Sequence, residues 1–255
     1  MKQGYDILRK FCNVRNETSA LLQTNPNTPR ATFIKETLDS IGIEYSVDIF
    51  GGRSELSNIE VTFDKGAKSS IMFIAHHDIN NPYSENCQDN SASVANLLDL
   101  IGKVKDKDFN RNVIVVFTDC EEFGGKGASR LAMRINNGKF GTVDYVVNLE
   151  LTANGTEIWS DLENSNLVDR LESVVCKELI KTLYIVNTPF NDSVVLRGRG
   201  IDSVCIGSLT DIEMEKTYER GYCSTWSLCH KENDKFELAN RENMNKFVEL
   251  LIKLI

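Results

Sequence analysis

His76, His77 and Asp78 stand together directly after an apolar run, Ser70–Ala75. Glu121 and Glu122 follow another such run, Val113–Phe117, and Glu150 sits near the end of a third, Tyr145–Leu151. Asp89 ends a polar loop just before a helical pattern, and His230, the only histidine besides the first pair, lies in a late polar loop. β-branched runs without alternation mark strands buried on both faces, as in a parallel sheet. Open α/β sheets bind ligands beyond the carboxyl ends of their strands. Imidazoles and carboxylates from several strand ends would therefore meet at one edge. Packed carboxylates repel one another and lose solvation. A pair of divalent cations would resolve that cost, and mixed His and carboxylate ligation suits zinc, cobalt or manganese.

The elements that must position these residues can be read along the chain. Residues 4–12 read as a short amphipathic helix. Thr28 can cap a helix with Pro29 at its first position, running to about Ile41 and closed by Gly42. Residues 45–50 and 58–63 alternate like strands, and residues 70–75 form a buried third strand. Ser91 reads as the cap of a helix to about Val104, with Val94, Leu97, Leu98 and Ile101 on one face. The central strand, residues 113–117, leads through Glu121-Glu122 and Gly124-Gly125 into a helix from Gly127 to about Ile135. Further strands are expected at 145–151, 155–160, 183–186 and 203–209. Helices are expected at 166–179, 192–197 and 241–255, and residues 210–227 read as a loop that delivers His230. Alternating strands and helices predict an α/β fold: a three-layer α/β/α sandwich with a mixed, mostly parallel sheet. The absence of repeats and linkers makes residues 1–255 one domain by default.

Composition narrows the class. The chain of 255 residues has 29 basic and 37 acidic residues, a net charge of −8, and no basic cluster. A nucleic-acid partner is disfavoured. No run approaches a membrane span, and the N-terminus lacks a secretory h-region. Seven cysteines are simplest to read as reduced thiols in a cytoplasmic protein. The sequons at Asn16, Asn154 and Asn191 then have no role.

The order His-x-Asp, Asp-Asn-Ser-Ala, Glu-Glu-x-Gly-x-x-Gly, an acidic residue closing a later strand, and a late His resembles metallopeptidase family 28. This is the co-catalytic zinc family of aminopeptidases and glutamate carboxypeptidases. The resemblance runs from about Thr28 to the C-terminus. It implies that His76 and Glu150 hold one metal, that Glu122 and His230 hold a second, and that Asp89 bridges them. It makes Asp78 the hydrogen-bond partner that fixes the His76 tautomer. Glu121 becomes the general base, and Asn90 a support for the loop. The acidic position held by Glu150 is more often Asp in the family's aminopeptidases. Glu is familiar there in the related aminoacylases and peptide-trimming carboxypeptidases. Those relatives usually insert a dimerisation domain before the last histidine, and the roughly eighty positions between Glu150 and His230 are too few for one. Cys229 stands where some relatives carry an aromatic residue, and Tyr222 is a candidate transition-state donor. Asn191-Asp192-Ser193 resembles the family's Ser-Asp motif near the substrate pocket.

Simpler roles compete at several positions. His77, Asp99 and Asp119 read as structural or solvated. Cys87, Cys120 and Cys229 flank proposed ligands and read as packing residues, although a thiolate could bind zinc. Trp159 and Trp226 read as packing residues rather than pocket walls. The resulting expectation is a two-metal exopeptidase, an aminopeptidase acting on small peptides. The rivals are a carboxypeptidase, a deacylase or a single-zinc glutaminyl cyclase on the same site, and an inactive scaffold of the same fold.

Overall fold

The computed structural model describes residues 3–14, 27–161, 166–178, 183–220 and 225–255. Tyr222 and Asn16 lie outside them. The first elements are helices α1 (Gly4–Phe11) and α2 (Pro29–Ser40), then strands β1 (Ser46–Phe50), β2 (Leu56–Phe63) and β3 (Ser69–His76). Helix α3 (Ala92–Val104), β4 (Asn112–Thr118), α4 (Lys126–Asn136), β5 (Thr142–Leu149) and β6 (Glu157–Ser160) follow. The remainder is α5 (Asn166–Glu178), β7 (Tyr184–Ile185), α6 (Asp192–Arg197), β8 (Ser203–Leu209), α7 (Asp211–Arg220) and α8 (Arg241–Leu254).

The strands form one mixed sheet in the order β1-β2-β4-β3-β5-β8-β6-β7. Its centre is parallel, with β3 between β4 and β5 and with β8 beside β5. The outer pairs β1–β2, β2–β4 and β6–β8 are antiparallel. Helices cover both faces, as the sequence pattern requires. Ile71, Phe73 and Ala75 of β3 join a core with α1, α2, α3, α5 and α8. Met72 and Ile74, the alternate residues, join a second core with α4 and α6. A strand with both faces in a core needs apolar residues at every position, which is why β3 does not alternate. A third apolar cluster gathers Leu151, Trp159, Cys205, Leu209 and Met214 near the end of β8.

Local signals explain several boundaries. Thr28 Oγ1 accepts the Ala31 N–H at 3.2 Å and caps α2. Gly127 donates its N–H to the Asp119 carbonyl at 2.8 Å. A Cβ at Gly127 would lie 2.3 Å from that oxygen, so only glycine lets the glutamate-bearing turn fold back onto β4.

Four readings are corrected. β2 does not alternate: Asn58 and Glu60 are buried on the face covered by α4, where Asn58 bonds to Asp119 and Gly127, and Glu60 to Arg134. α3 has no exposed face from Ala92 to Gly102, because it packs against α1, α8 and the sheet together. Ser91 does not cap α3. Its backbone is already helical and its hydroxyl instead accepts a bond from Arg30 at 3.0 Å. The loop expected after residue 210 contains α7. That helix is so polar that its weak apolar periodicity is hard to see.

Candidate metal centre and active site

The ends of the central parallel strands converge. His76 is the last residue of β3 and pairs in register with Thr118, the last of β4. Glu121 and Glu122 sit on the turn that follows β4, and Glu150 is the first residue past β5. Asp89 lies in a tight turn, Cys87–Ser91, that leads into α3. His230 comes from the loop between short 3-10 turns at Thr225–Ser227 and Phe236–Leu238.

These side chains form two clusters that share one residue. His76, Asp89 and Glu150 bring ligand atoms within 4.8 Å of one another, and so do Asp89, Glu122 and His230. Asp89 Oδ1 lies 3.1 Å from His76 Nε2, while Asp89 Oδ2 lies 3.1 Å from His230 Nε2. Glu150 Oε2 is 3.6 Å from His76 Nε2, and Glu122 Oε2 is 2.8 Å from His230 Nε2. Among the described residues no cysteine joins either cluster. Asp78 Oδ1 faces the other imidazole nitrogen of His76 at 3.4 Å. The same carboxylate accepts the N–H groups of Glu121 at 3.1 Å and Glu122 at 3.2 Å.

Residues that sequence reasoning passed over hold this arrangement. Asn148 Nδ2 donates to Glu150 Oε1 at 3.3 Å. Arg30, almost fully buried, donates to the His77 carbonyl at 2.6 Å and stacks over Phe11 at 3.9 Å. Asp234 accepts from the backbone of the Asp89 turn. A single polar residue in a helix, strand or loop carries no periodic signal, so only the fold reveals its partners. His77 is structural as expected, with Nε2 at 3.1 Å from the Ser57 carbonyl. Asn90 donates to the Leu149 carbonyl at 2.8 Å, which ties the Asp89 turn to the end of β5. Asp192, of the Asn-Asp-Ser segment, is fully buried and accepts the Thr118 hydroxyl at 2.6 Å.

The backbone is strained here. Cys120, Leu151 and His230 all have left-handed φ, at 63°, 54° and 64°. They precede Glu121, follow Glu150 and carry the late imidazole. Non-glycine residues in that region cost energy and persist where surrounding structure imposes them, often at functional sites.

The electrostatics follow from crowded acids. Burial, with nearby Asp192, Glu150 and Asp78, pushes the Glu121 carboxyl up to about 10 despite His76. Burial and Asp89 push Glu122 up to about 7. Hydrogen bonds to Asp89 and Glu122 raise His230 to about 10. Burial opposes the charge on His76, but Glu150, Asp78 and Asp89 hold its pKa well above the usual value. Without cations, burial and the crowded carboxylates thus favour the protonated forms of Glu121, His76 and His230.

A cavity of about 320 Å³ opens beside the clusters. Glu121 lies in its wall with His76, Asp89, Glu122 and Glu150. Apolar residues, Leu151, Trp159, Phe190 and Trp226 with Cys205 and Cys229, complete much of the lining. Trp159 and Trp226 meet nearly edge-on at 6.1 Å, so they pack together and also line the cavity, which corrects the reading of packing alone. No lysine or arginine lines the cavity among the described residues.

Residues 58–255 match peptidase family M28. The chain belongs to that family. An M28 assignment makes it a metallopeptidase, as the sequence motifs implied. No curated protein matches it. The fold is shared with LapA aminopeptidase from Legionella pneumophila, at 14% identity and a TM-score of 0.81, over 99% of this chain and 70% of that one. A leucine aminopeptidase precursor from Bacteroides thetaiotaomicron is similar at 12% identity and a TM-score of 0.78, over 99% and 95%. Porphyromonas gingivalis glutaminyl cyclase is similar at 16% identity and a TM-score of 0.74, over 99% and 96%. The M28 relationship points to a divalent metal, and the two clusters are where this chain could hold it. No helix among the described residues is long and apolar enough to cross a membrane.

Proposed function

We propose that this M28 chain is a two-zinc aminopeptidase. The observation that carries the reading is Asp89, whose two oxygens face different histidines in two separate clusters. Each cluster offers one imidazole and two carboxylates, a donor set that suits zinc. Glu122 Oε1 is buried with no hydrogen-bond partner among the described residues, as expected of an atom that waits for a cation. His76, Glu150 and Asp89 would hold one ion, and Glu122, His230 and Asp89 the other. When bound, such ions polarise the scissile carbonyl and bring the pKa of a bound water to about 7.

This chain's own groups do the rest. Glu121 would be lowered by bound ions from the value of about 10 that burial imposes, so that its carboxylate could accept a proton from the attacking water. Glu121 then passes that proton to the nitrogen of the leaving amine. Asp78 holds the Glu121–Glu122 turn by two backbone N–H groups, so base and ligand keep their spacing. A carboxypeptidase would need a cation for the terminal carboxylate, and the described cavity wall offers no lysine or arginine.

The test compares three forms of one short peptide: free at both ends, acetylated at the N-terminus, and amidated at the C-terminus. The zinc-loaded protein should cleave the first and third and spare the second. In Glu121→Gln, turnover should fall by about 100- to 10,000-fold while both ions remain. Cleavage of the acetylated peptide alone, or release of ammonia from an N-terminal glutamine with a single bound ion, would overturn the reading.

A further inference from the structure

Two loops far apart in sequence each bring one residue to the second cluster: Asp89 from the segment 81–89, and His230 from the segment 230–236. Hydrogen bonds stitch the two loops together. Asn81 Nδ2 donates to the His230 carbonyl at 3.0 Å, and the Phe236 N–H donates to Glu85 Oε2 at 2.7 Å. Between these lies Asp234, which is fully buried. Its Oδ1 accepts the Gln88 N–H at 2.8 Å, and its Oδ2 accepts the Asp89 N–H at 3.2 Å. The Ser84 hydroxyl donates to the Asp234 carbonyl at 3.5 Å.

We propose that Asp234 is a positioning residue that sets the bridging orientation of Asp89 and locks it to the His230 loop. The inference rests on the reading that the two clusters hold metal ions. Its logic is geometric. Two consecutive N–H groups are met here by the two oxygens of one side chain, which a carboxyl group offers and an amide does not. An amide at that position would turn an NH₂ group toward one of the N–H groups. The arrangement repeats one seen across the site, where Asp78 clamps the consecutive N–H groups of Glu121 and Glu122. One carboxylate clamp thus holds each turn that carries a bridging or catalytic carboxylate. Asp234 has no ion-pair partner among the described residues, and both of its carboxyl oxygens face the backbone of the Asp89 turn. Because Asp89 belongs to both clusters, a shift of its turn disturbs both ions. Because Asp234 lies four positions after His230, it also ties the spacing of the second cluster to that loop.

The test is zinc titration of the metal-free protein by calorimetry, for wild type, Asp234→Asn, Asp234→Glu and the control Glu85→Gln. The readout is binding, so it does not depend on activity. Circular dichroism below the unfolding midpoint identifies the folded variants. We expect zinc affinity to fall about 10- to 100-fold in both Asp234 variants and to stay at the wild-type level in Glu85→Gln, which removes a carboxylate from the same two loops and keeps an acceptor for the Phe236 N–H. A merely structural role would lower the melting temperature of the metal-free protein and leave the zinc affinity of the folded protein unchanged, which would overturn the inference. If Asp234→Asn does not fold, Asp234→Glu decides by the same criterion, since it keeps the charge and shifts only the acceptor positions. If the wild type itself binds no zinc, the reading of the clusters fails, and the positioning role falls with it.

Discussion

Asp78 accepts the backbone N–H of Glu121 on the same oxygen, Oδ1, that faces His76 Nδ1. One carboxylate thus touches the end of β3 and the turn after β4. It fixes an imidazole that could bind metal and the backbone of the residue placed as the base. In Asp78→Asn, one of the two N–H groups on that turn would face an NH₂ group. Zinc affinity should fall about 10- to 100-fold, with turnover falling in step. Calorimetric titration and kinetics on the same preparation check this. Wild-type values for both would mean that Asp78 supports neither.

Protonation gives the metal-free protein a distinctive pH dependence. His230 is raised to about 10 by hydrogen bonds to Asp89 and Glu122. Its stabilising contribution is complete below the unfolded histidine pKa of about 6.5 and is lost as pH rises through the folded value. Glu121, at about 10, and Glu122, at about 7, are raised chiefly by burial. They too bind more protons folded than unfolded, so their loss has the same sign. Metal-free protein should therefore lose stability from pH 6 to pH 9. Metal binding must displace these protons, so zinc affinity should rise over the same range with proton release. Denaturant unfolding of the metal-free protein and titrations in two buffers of different ionisation enthalpy check both. Parallel trends, both rising or both falling, would contradict this electrostatic account.

Arg30 supports the site from below. Its guanidinium reaches the His77 carbonyl and the Ser91 hydroxyl, and so braces the segments that carry His76 and Asp89. Arg30→Met leaves both acceptors without this donor inside the protein. The metal-free protein should lose about 2–4 kcal/mol. Arg30→Lys should recover only part of it, because an ammonium does not reproduce the planar fork that serves both partners. Urea unfolding midpoints measure the differences. Full recovery by lysine would show that only the buried charge matters.

The outline of the fold was legible because buried strands announce themselves. β3, β4, β5 and β8 are apolar at successive positions, and each site residue near the first three follows such a run. α2 was equally plain, with Thr28 and Pro29 at its start. What escaped the sequence depends on tertiary partners. Glu60 looks solvated until Arg134 is seen beside it. α7 hides because its charged residues obscure the apolar spacing. Arg30, Asn148 and Asp234 look ordinary in the chain, and their importance arises only when the fold brings a ligand-bearing segment against them. Motif order alone points to His76, Asp89, Glu122, Glu150 and His230, and the fold gathers them into the two clusters that share Asp89.

Whether the clusters hold a shared pair of ions is decided by the zinc content of the folded protein, measured by elemental mass spectrometry after reconstitution and removal of free metal, in wild type and Asp89→Ala. Two ions per wild-type chain are expected, one for each cluster, with loss of both in the variant because the clusters share that carboxylate. A folded wild type that retains no zinc, or an Asp89→Ala variant that still holds two ions, would contradict it.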